Sequence, residues 1–287
     1  MKTVRDQMKQ DLELGGYAPS TMREYLCAAR RFAEHVKRPP QKVGQKEIRA
    51  YVEVLRKKRK YGASMLKLQL AGIRYLYAVT LGRPEAVAWM SWPRQPKTLP
   101  VVLSGTEIEK LLAAMSNPMF RAVVMVMYGA GLRISEACAL RVTDIDAQRG
   151  VIHVRHGKGN RERCAMLSER LLVALRSYWA SSRPPLPFLF PAEDAKKPIA
   201  ADRVRTAMAA AVRACGFTKR VSPHVMRHSF ATHLLDTGTD VRVIQALLGH
   251  ASIRSTMRYA QVSRNTLAKT KSPLDLLGTA EGKKALG

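Results

Sequence analysis

Cysteine is scarce in this 287-residue chain, and the four that occur, Cys27, Cys138, Cys164 and Cys215, are scattered with no Cys-x-x-Cys pair. That spacing suits neither a zinc knuckle nor a disulfide framework, so all four are expected as small, buried, apolar residues. Long hydrophobic runs are missing as well. No uninterrupted apolar stretch approaches the roughly 20 residues a membrane helix needs. The opening Met-Lys-Thr-Val-Arg-Asp-Gln lacks the apolar core and small-residue cleavage site of a secretory leader. The expectation is a soluble, cytoplasmic protein with no membrane partner. The third shortage is of acid: 22 Asp+Glu face 49 Lys+Arg, a net charge of +27. Solubility needs far less. An excess of this size is the footprint of a polyanion binder, and because the basic residues spread through the chain, nucleic acid is favoured over an anionic lipid surface. The few acids show no pattern that would seat two metal ions. Asp144 and Asp146 stand close together but read as turn residues ahead of a strand, and no metal or cofactor is expected.

What is present divides the chain in two. Up to about residue 91 the apolar residues recur at helical spacing in four short runs: Val4, Met8, Leu12 and Leu14; then Tyr25, Leu26, Ala29, Phe32 and Val36. Pro39-Pro40 stops that second run, and Gln45 to Lys58 and Ser64 to Leu81 follow as further helices. This predicts a small basic helical bundle, with Arg49 to Lys60 contributing to the choice of nucleic-acid site. Trp92 to Pro100 carries three prolines and no helical period, so residues 92–101 are expected as an extended linker. Ser104 with Glu107 three residues on is a capping box that opens a second domain, residues 102–287.

In that domain a helix is expected from Asn117 to Met127, with Met125 and Met127 in the core. The period then changes to two strands, 150–155 and 161–167, around the turn His156-Gly-Lys158-Gly-Asn160. Helices resume at Ser168 to Ala180 and Ala201 to Ala214, and the last third is all helical, with Gly216, Gly238 and Gly249 where C-caps are wanted. The fold class is therefore mainly α with a small antiparallel sheet. Ser222-Pro223-His224-Val-Met-Arg227 reads as an N-cap, a proline at the first helical position, then His and Arg on one face at the positive end of a helix, which makes an anion site. Asp240 caps Val241 to Leu248. His228 and His233 read as core or hydrogen-bonding helix residues.

The ordered series His224-x-x-Arg227-His-Ser-Phe-Ala-Thr-His-Leu-Leu, then Leu-Leu-Gly-His250, then Tyr259 resembles the tyrosine recombinase (phage integrase) family, particularly its Xer-like members. Gly-Ala-Gly-Leu-Arg133-Ile-Ser-Glu136-Ala matches the family's first arginine box, and Lys158 its hairpin lysine. The resemblance implies a helical core-binding bundle followed by a tyrosine-recombinase catalytic domain, acting as a homotetramer or a heterotetramer on two sites in nucleoid DNA. By resemblance, Arg133 and Arg227 hold the scissile phosphate with planar, permanently charged forks. Tyr259 attacks, giving a 3′-phosphotyrosine and a free 5′-hydroxyl. Lys158 protonates the leaving oxygen, His224 takes or relays the phenol proton, and His250 hydrogen-bonds the phosphate or orders the pocket. Glu136 orients an arginine or histidine, and Leu274 to Leu277 in the polar tail could dock on a neighbouring protomer. A DNA-binding regulator without chemistry and a type IB topoisomerase are the rival readings. The complete set of six residues disfavours the first, and length and spacing the second.

Overall fold

The computed structural model describes residues 3–57, 61–93, 100–155 and 162–249. It separates into two compact units, Met1–Lys97 and Thr98–Gly287.

The first unit is built on four helices, α1 (Val4–Leu14), α2 (Pro19–Val36), α3 (Gln45–Lys57) and α4 (Ala63–Tyr75). Local chemistry sets their ends. Thr3 and Asp6 form a reciprocal capping box at the start of α1, Pro19 occupies the first turn of α2, and Lys37 closes α2 in a left-handed conformation just ahead of Pro39. Met8, Leu12, Phe32, Ile48, Tyr51, Leu55, Ile73 and Tyr77 are sealed from water in one cluster. The fourth helix departs from the uniform period expected to Leu81: Leu76–Thr80 is a π-helical turn. The wider turn closes with Leu81 N–H on the Leu76 carbonyl, and Gln7 Nε2 donates to the Thr80 carbonyl. It lets Leu76, Tyr77 and Thr80 all turn inward. On its surface the Arg49 guanidinium stacks 4.5 Å over the Trp89 ring.

The second unit holds α5 (Gly105–Ala113), α6 (Pro118–Gly129), α7 (Ile134–Cys138), α8 (Glu169–Ser182), α9 (Ala201–Ala214), α10 (Pro223–Asp236) and α11 (Val241–Leu248) around a sheet of β1 (Ile145–Asp146), β2 (Val151–Val154) and β3 (Arg163–Met166). The order is β1-β2-β3, antiparallel throughout, with Ile152 opposite both Ile145 and Ala165, and His153 opposite Cys164. The sequence suggested two strands; β1 is the third. Asp144 ends a short 3₁₀ turn, Val142–Asp144, just ahead of β1. It is buried, accepting from Arg141 N–H at 2.9 Å and Arg155 Nε at 2.5 Å, which pins β1 beside β2. The capping box at Ser104 and Glu107 forms as expected.

The central element is α10. Val225, Met226, Arg227, Ser229, Phe230, Ala231, Thr232 and Leu235 are all buried, so the helix is enclosed on nearly every side. Ser222 stands at its N-cap position without making the side-chain cap bond expected of it. Ser229 Oγ accepts the Leu103 N–H, and His233 Nδ1 lies 2.9 Å from Tyr128 Oη, as a hydrogen-bonding helix residue should. The cysteines divide: Cys138 and Cys215 are buried, Cys27 is half-buried, and Cys164 is exposed. Cys164 points off the outer face of β3 with its Sγ 3.8 Å from His153 Nδ1, because strand alternation turns it away from the buried Ala165.

Candidate active site

The site begins where α6 ends. Gly131 has a φ of +65°, which reverses the chain between α6 and α7 and turns its carbonyl toward α10. A Cβ there would lie 2.5 Å from the Phe230 ring. Arg227, in the second turn of α10, donates through Nη1 to the Gly131 carbonyl at 2.6 Å and through Nη2 to the Leu248 carbonyl at 2.5 Å, where α11 ends. One buried guanidinium thus joins the α6–α7 turn, α10 and α11. Gly131→Ala is expected to destabilise the chain by about 3 kcal/mol, from the left-handed backbone and the forced shift of Phe230. A urea-unfolding midpoint measured against the unaltered chain checks it.

Arg133 is the N-cap residue of α7, and Glu136 is three residues on. The Glu136 carboxylate accepts the Arg133 N–H at 2.8 Å and Arg133 Nη1 at 2.6 Å. It also receives Arg163 of β3, Nη1 at 3.1 Å and Nη2 at 2.8 Å, and lies 3.8 Å from Arg227 Nη1. Its side chain is only 3% exposed, and those of Arg227, Arg163 and Arg133 are 5%, 10% and 23% exposed. Three guanidiniums therefore surround one carboxylate.

Burial alone would raise the Glu136 pKa. Hydrogen bonds from Arg163 and Arg133 with their positive charges outweigh it, and the group is held down at about 2. A depressed carboxylate stabilises the fold above its unfolded value of 4.5, and that contribution is lost as pH falls toward 2. The linkage is worth about 3 kcal/mol. Unfolding midpoints at pH 7 and pH 3 should accordingly differ more for the unaltered chain than for Glu136→Gln, which has no proton to gain.

His224, exposed at the first turn of α10, has its pKa lowered by partial burial of the ring and then by the charges of Arg227, Arg133 and Arg205. Its ring centroid is 6.5 Å from that of His228. A neutral imidazole at neutral pH is one that accepts a proton.

Of the six residues singled out in the sequence, Arg133, His224 and Arg227 are brought to this cluster, with Glu136 behind them. Lys158, His250 and Tyr259 lie outside the described residues, as does the Leu274 to Leu277 segment. The residue that sequence reasoning passed over is Arg163. A signal was available, since Arg163 shares a strand face with the inward-facing Ala165 two places on. Among the described residues no group of three or more His, Cys, Asp or Glu could hold a metal ion, and no helix is long and apolar enough to cross a membrane.

Comparison with known proteins settles the class. Residues 101–266 match the phage integrase family, and residues 4–86 match the phage integrase N-terminal SAM-like domain. Over 278 residues the chain is 38% identical to y4qK of Sinorhizobium fredii, covering 96% of this chain and 90% of that one. It is 32% identical over 286 residues to the tyrosine recombinase XerA of Pyrococcus furiosus, covering 96% of both. Among solved structures, a lambda integrase (75–356) dimer bound to a COC′ core site superposes with a TM-score of 0.72 at 17% identity, covering 94% of this chain and 97% of that one; this likeness is one of fold. The chain belongs to the phage integrase family and is a tyrosine recombinase, an enzyme of site-specific DNA recombination.

Proposed function

We propose that the chain cuts and rejoins duplex DNA through a 3′-phosphotyrosine at Tyr259, without metal or ATP. The observation that carries this reading is the charge balance at Glu136: three guanidiniums around one carboxylate leave two positive charges in a largely buried cluster. A phosphodiester brings one negative charge, and its pentacoordinate transition state approaches two. Cations fixed in advance stabilise that state more than the ground state, the condition for catalysis. Arg133, the most exposed of the three, and Arg227 are the phosphate-facing pair, and Glu136 with Arg163 supports them from behind.

The phenol of Tyr259 attacks phosphorus, its proton passing to His224, and Lys158 protonates the leaving 5′-oxygen. His250 hydrogen-bonds the phosphate. The new phosphotyrosine resembles the bond it replaces, so a 5′-hydroxyl from a partner strand reverses the reaction with no external energy. Residues 1–91 act as the core-binding domain, joined by 92–101 to the catalytic domain, and four protomers assemble on two duplex sites in the cytoplasm, at the nucleoid. The net charge of +27 makes binding to duplex DNA steeply salt-dependent.

Covalent capture on fragmented genomic DNA maps the cleavage sites. A nicked suicide duplex carrying such a site then traps the intermediate, because the short 5′-hydroxyl fragment diffuses away. A denaturation-resistant adduct supports the reading, and its absence contradicts it. A two-site exchange assay on the same sequence separates recombination from simple supercoil relaxation.

A further inference from the structure

The guanidinium of Arg163 has three of its donors engaged by two separate parts of the catalytic unit. Nη1 and Nη2 form a fork on the two oxygens of Glu136 at 3.1 and 2.8 Å. Nε, on the other edge, donates to the Leu247 carbonyl at 3.1 Å, in the last turn of α11. The side chain is 90% enclosed, so it faces inward and not toward a ligand on the surface. The Leu247 acceptor belongs to the last turn of a helix, where carbonyls lack intrahelical partners and the dipole favours a cation. Packing tightens the same contact. Gly249, the left-handed C-cap of α11 at φ +61°, lies where a Cβ would be 2.7 Å from Arg163 Cδ. The chain thus passes directly over the Arg163 stem one residue before His250. In the sequence, Arg163 stands five residues after Lys158.

We propose that Arg163 is a positioning residue for strand cleavage: one guanidinium that fixes Glu136 behind Arg133 and at the same time ties the end of α11, which leads into His250, to β3. The inference rests on the functional reading above and goes beyond it. Only arginine meets the requirement. A carboxylate fork takes two parallel N–H donors, and the third must leave the other edge of the same plane; a lysine ammonium reaches one partner at a time. Arg163 acts through Glu136 and the α11 terminus, not by touching DNA.

The test uses the full chain and a nicked suicide duplex bearing a mapped cleavage site, with single-turnover cleavage followed over a range of protein concentrations. Arg163→Met is expected to lower the maximal cleavage rate about 10²-fold, the cost of a small misplacement of reacting groups, with little change in half-saturation. Arg163→Lys is not expected to restore it. Gly249→Ala, which displaces the Arg163 stem while leaving its charge, is expected to lower the maximal rate in the same way. In a Glu136→Gln background, Arg163→Met should cost much less than it does alone, because the two side chains work as a unit.

Weakened half-saturation with an unchanged maximal rate would mark Arg163 as a DNA contact and overturn the proposal, as would full-rate cleavage by Arg163→Met or fully multiplicative effects in the double variant. If Arg163→Met does not fold by circular dichroism, Arg163→Lys and Gly249→Ala decide by the same criteria. Failure of the unaltered chain to form any adduct sinks the functional reading together with this one. Normal cleavage by both the unaltered chain and Arg163→Met sinks this one alone.

Discussion

Tyr259→Phe is expected to abolish the covalent protein–DNA adduct while leaving DNA affinity within about twofold of the unaltered chain. The substitution deletes one oxygen. If that oxygen is the nucleophile, nothing else in the proposed mechanism can take its place: the arginines would still hold the phosphate and Lys158 could still donate a proton, but no bond to phosphorus would form. The loss should exceed about 10⁴-fold, the scale on which removing one member of a cooperating catalytic group acts. Affinity should hardly move, because binding in a chain with 49 Lys+Arg is carried by phosphate contacts. Filter binding at several salt concentrations should give the same slope for both proteins. Gel analysis under denaturing conditions reads the adduct directly.

The second large effect belongs to Arg227. Arg227→Ala is expected to lower cleavage by about 10²–10³-fold, the usual cost of losing one preorganised donor to a developing oxyanion. It should also lower stability, because the Gly131 and Leu248 carbonyls lose a charged donor inside the fold. Each such orphaned acceptor costs about 1–3 kcal/mol. The two effects can be separated. Arg227→Lys keeps the positive charge near Glu136 but cannot span both carbonyls, so it should recover part of the stability and little of the rate. Urea-unfolding midpoints set beside single-turnover rates for both variants check this. A rate that tracks stability alone across the pair would mean that Arg227 serves only as a structural clamp.

These two expectations stand on different footings, and the difference shows how far the sequence could be read. Tyr259 is proposed from its position nine residues beyond His250 in a motif series; it lies outside the described residues. Arg227 was visible both as a motif residue and as a cation at a helix start, and the structure adds what it grips. Regular amphipathic helices such as α2 and α3 were legible because one apolar face alternates with a solvated one. The π-helical turn at Leu76–Thr80 was not, since its apolar residues continue the run of α4 and only the hydrogen-bond pattern changes. The strand β1 was hidden by its two-residue length, and the buried role of Asp144 by its distant partner Arg155, which sequence proximity does not reveal. Helix α10 is the clearest case. A helix enclosed on nearly every side has little polar stripe to betray its orientation, so the sequence showed where it starts and not which way Arg227 points.

Arg163 was missed for a related reason. In a chain so rich in basic residues, an arginine beside a hairpin carries no distinctive signal, and the property that singles it out is that its three contacts lie in α7 and α11, 27 and 84 residues away. The sequence also treated the four cysteines as one class, whereas strand alternation exposes Cys164 while helix packing buries Cys138 and Cys215.

The most direct test of the central claim is to locate the atom that carries the DNA. The adduct trapped on a nicked suicide duplex can be digested with trypsin and nuclease and the nucleotide-bearing peptide sequenced by mass spectrometry. The account predicts a single modified peptide with the nucleotide on Tyr259 through its 3′-phosphate, and a free 5′-hydroxyl on the released strand. A nucleotide on any other residue, or a 5′-phosphate on that strand, would contradict it.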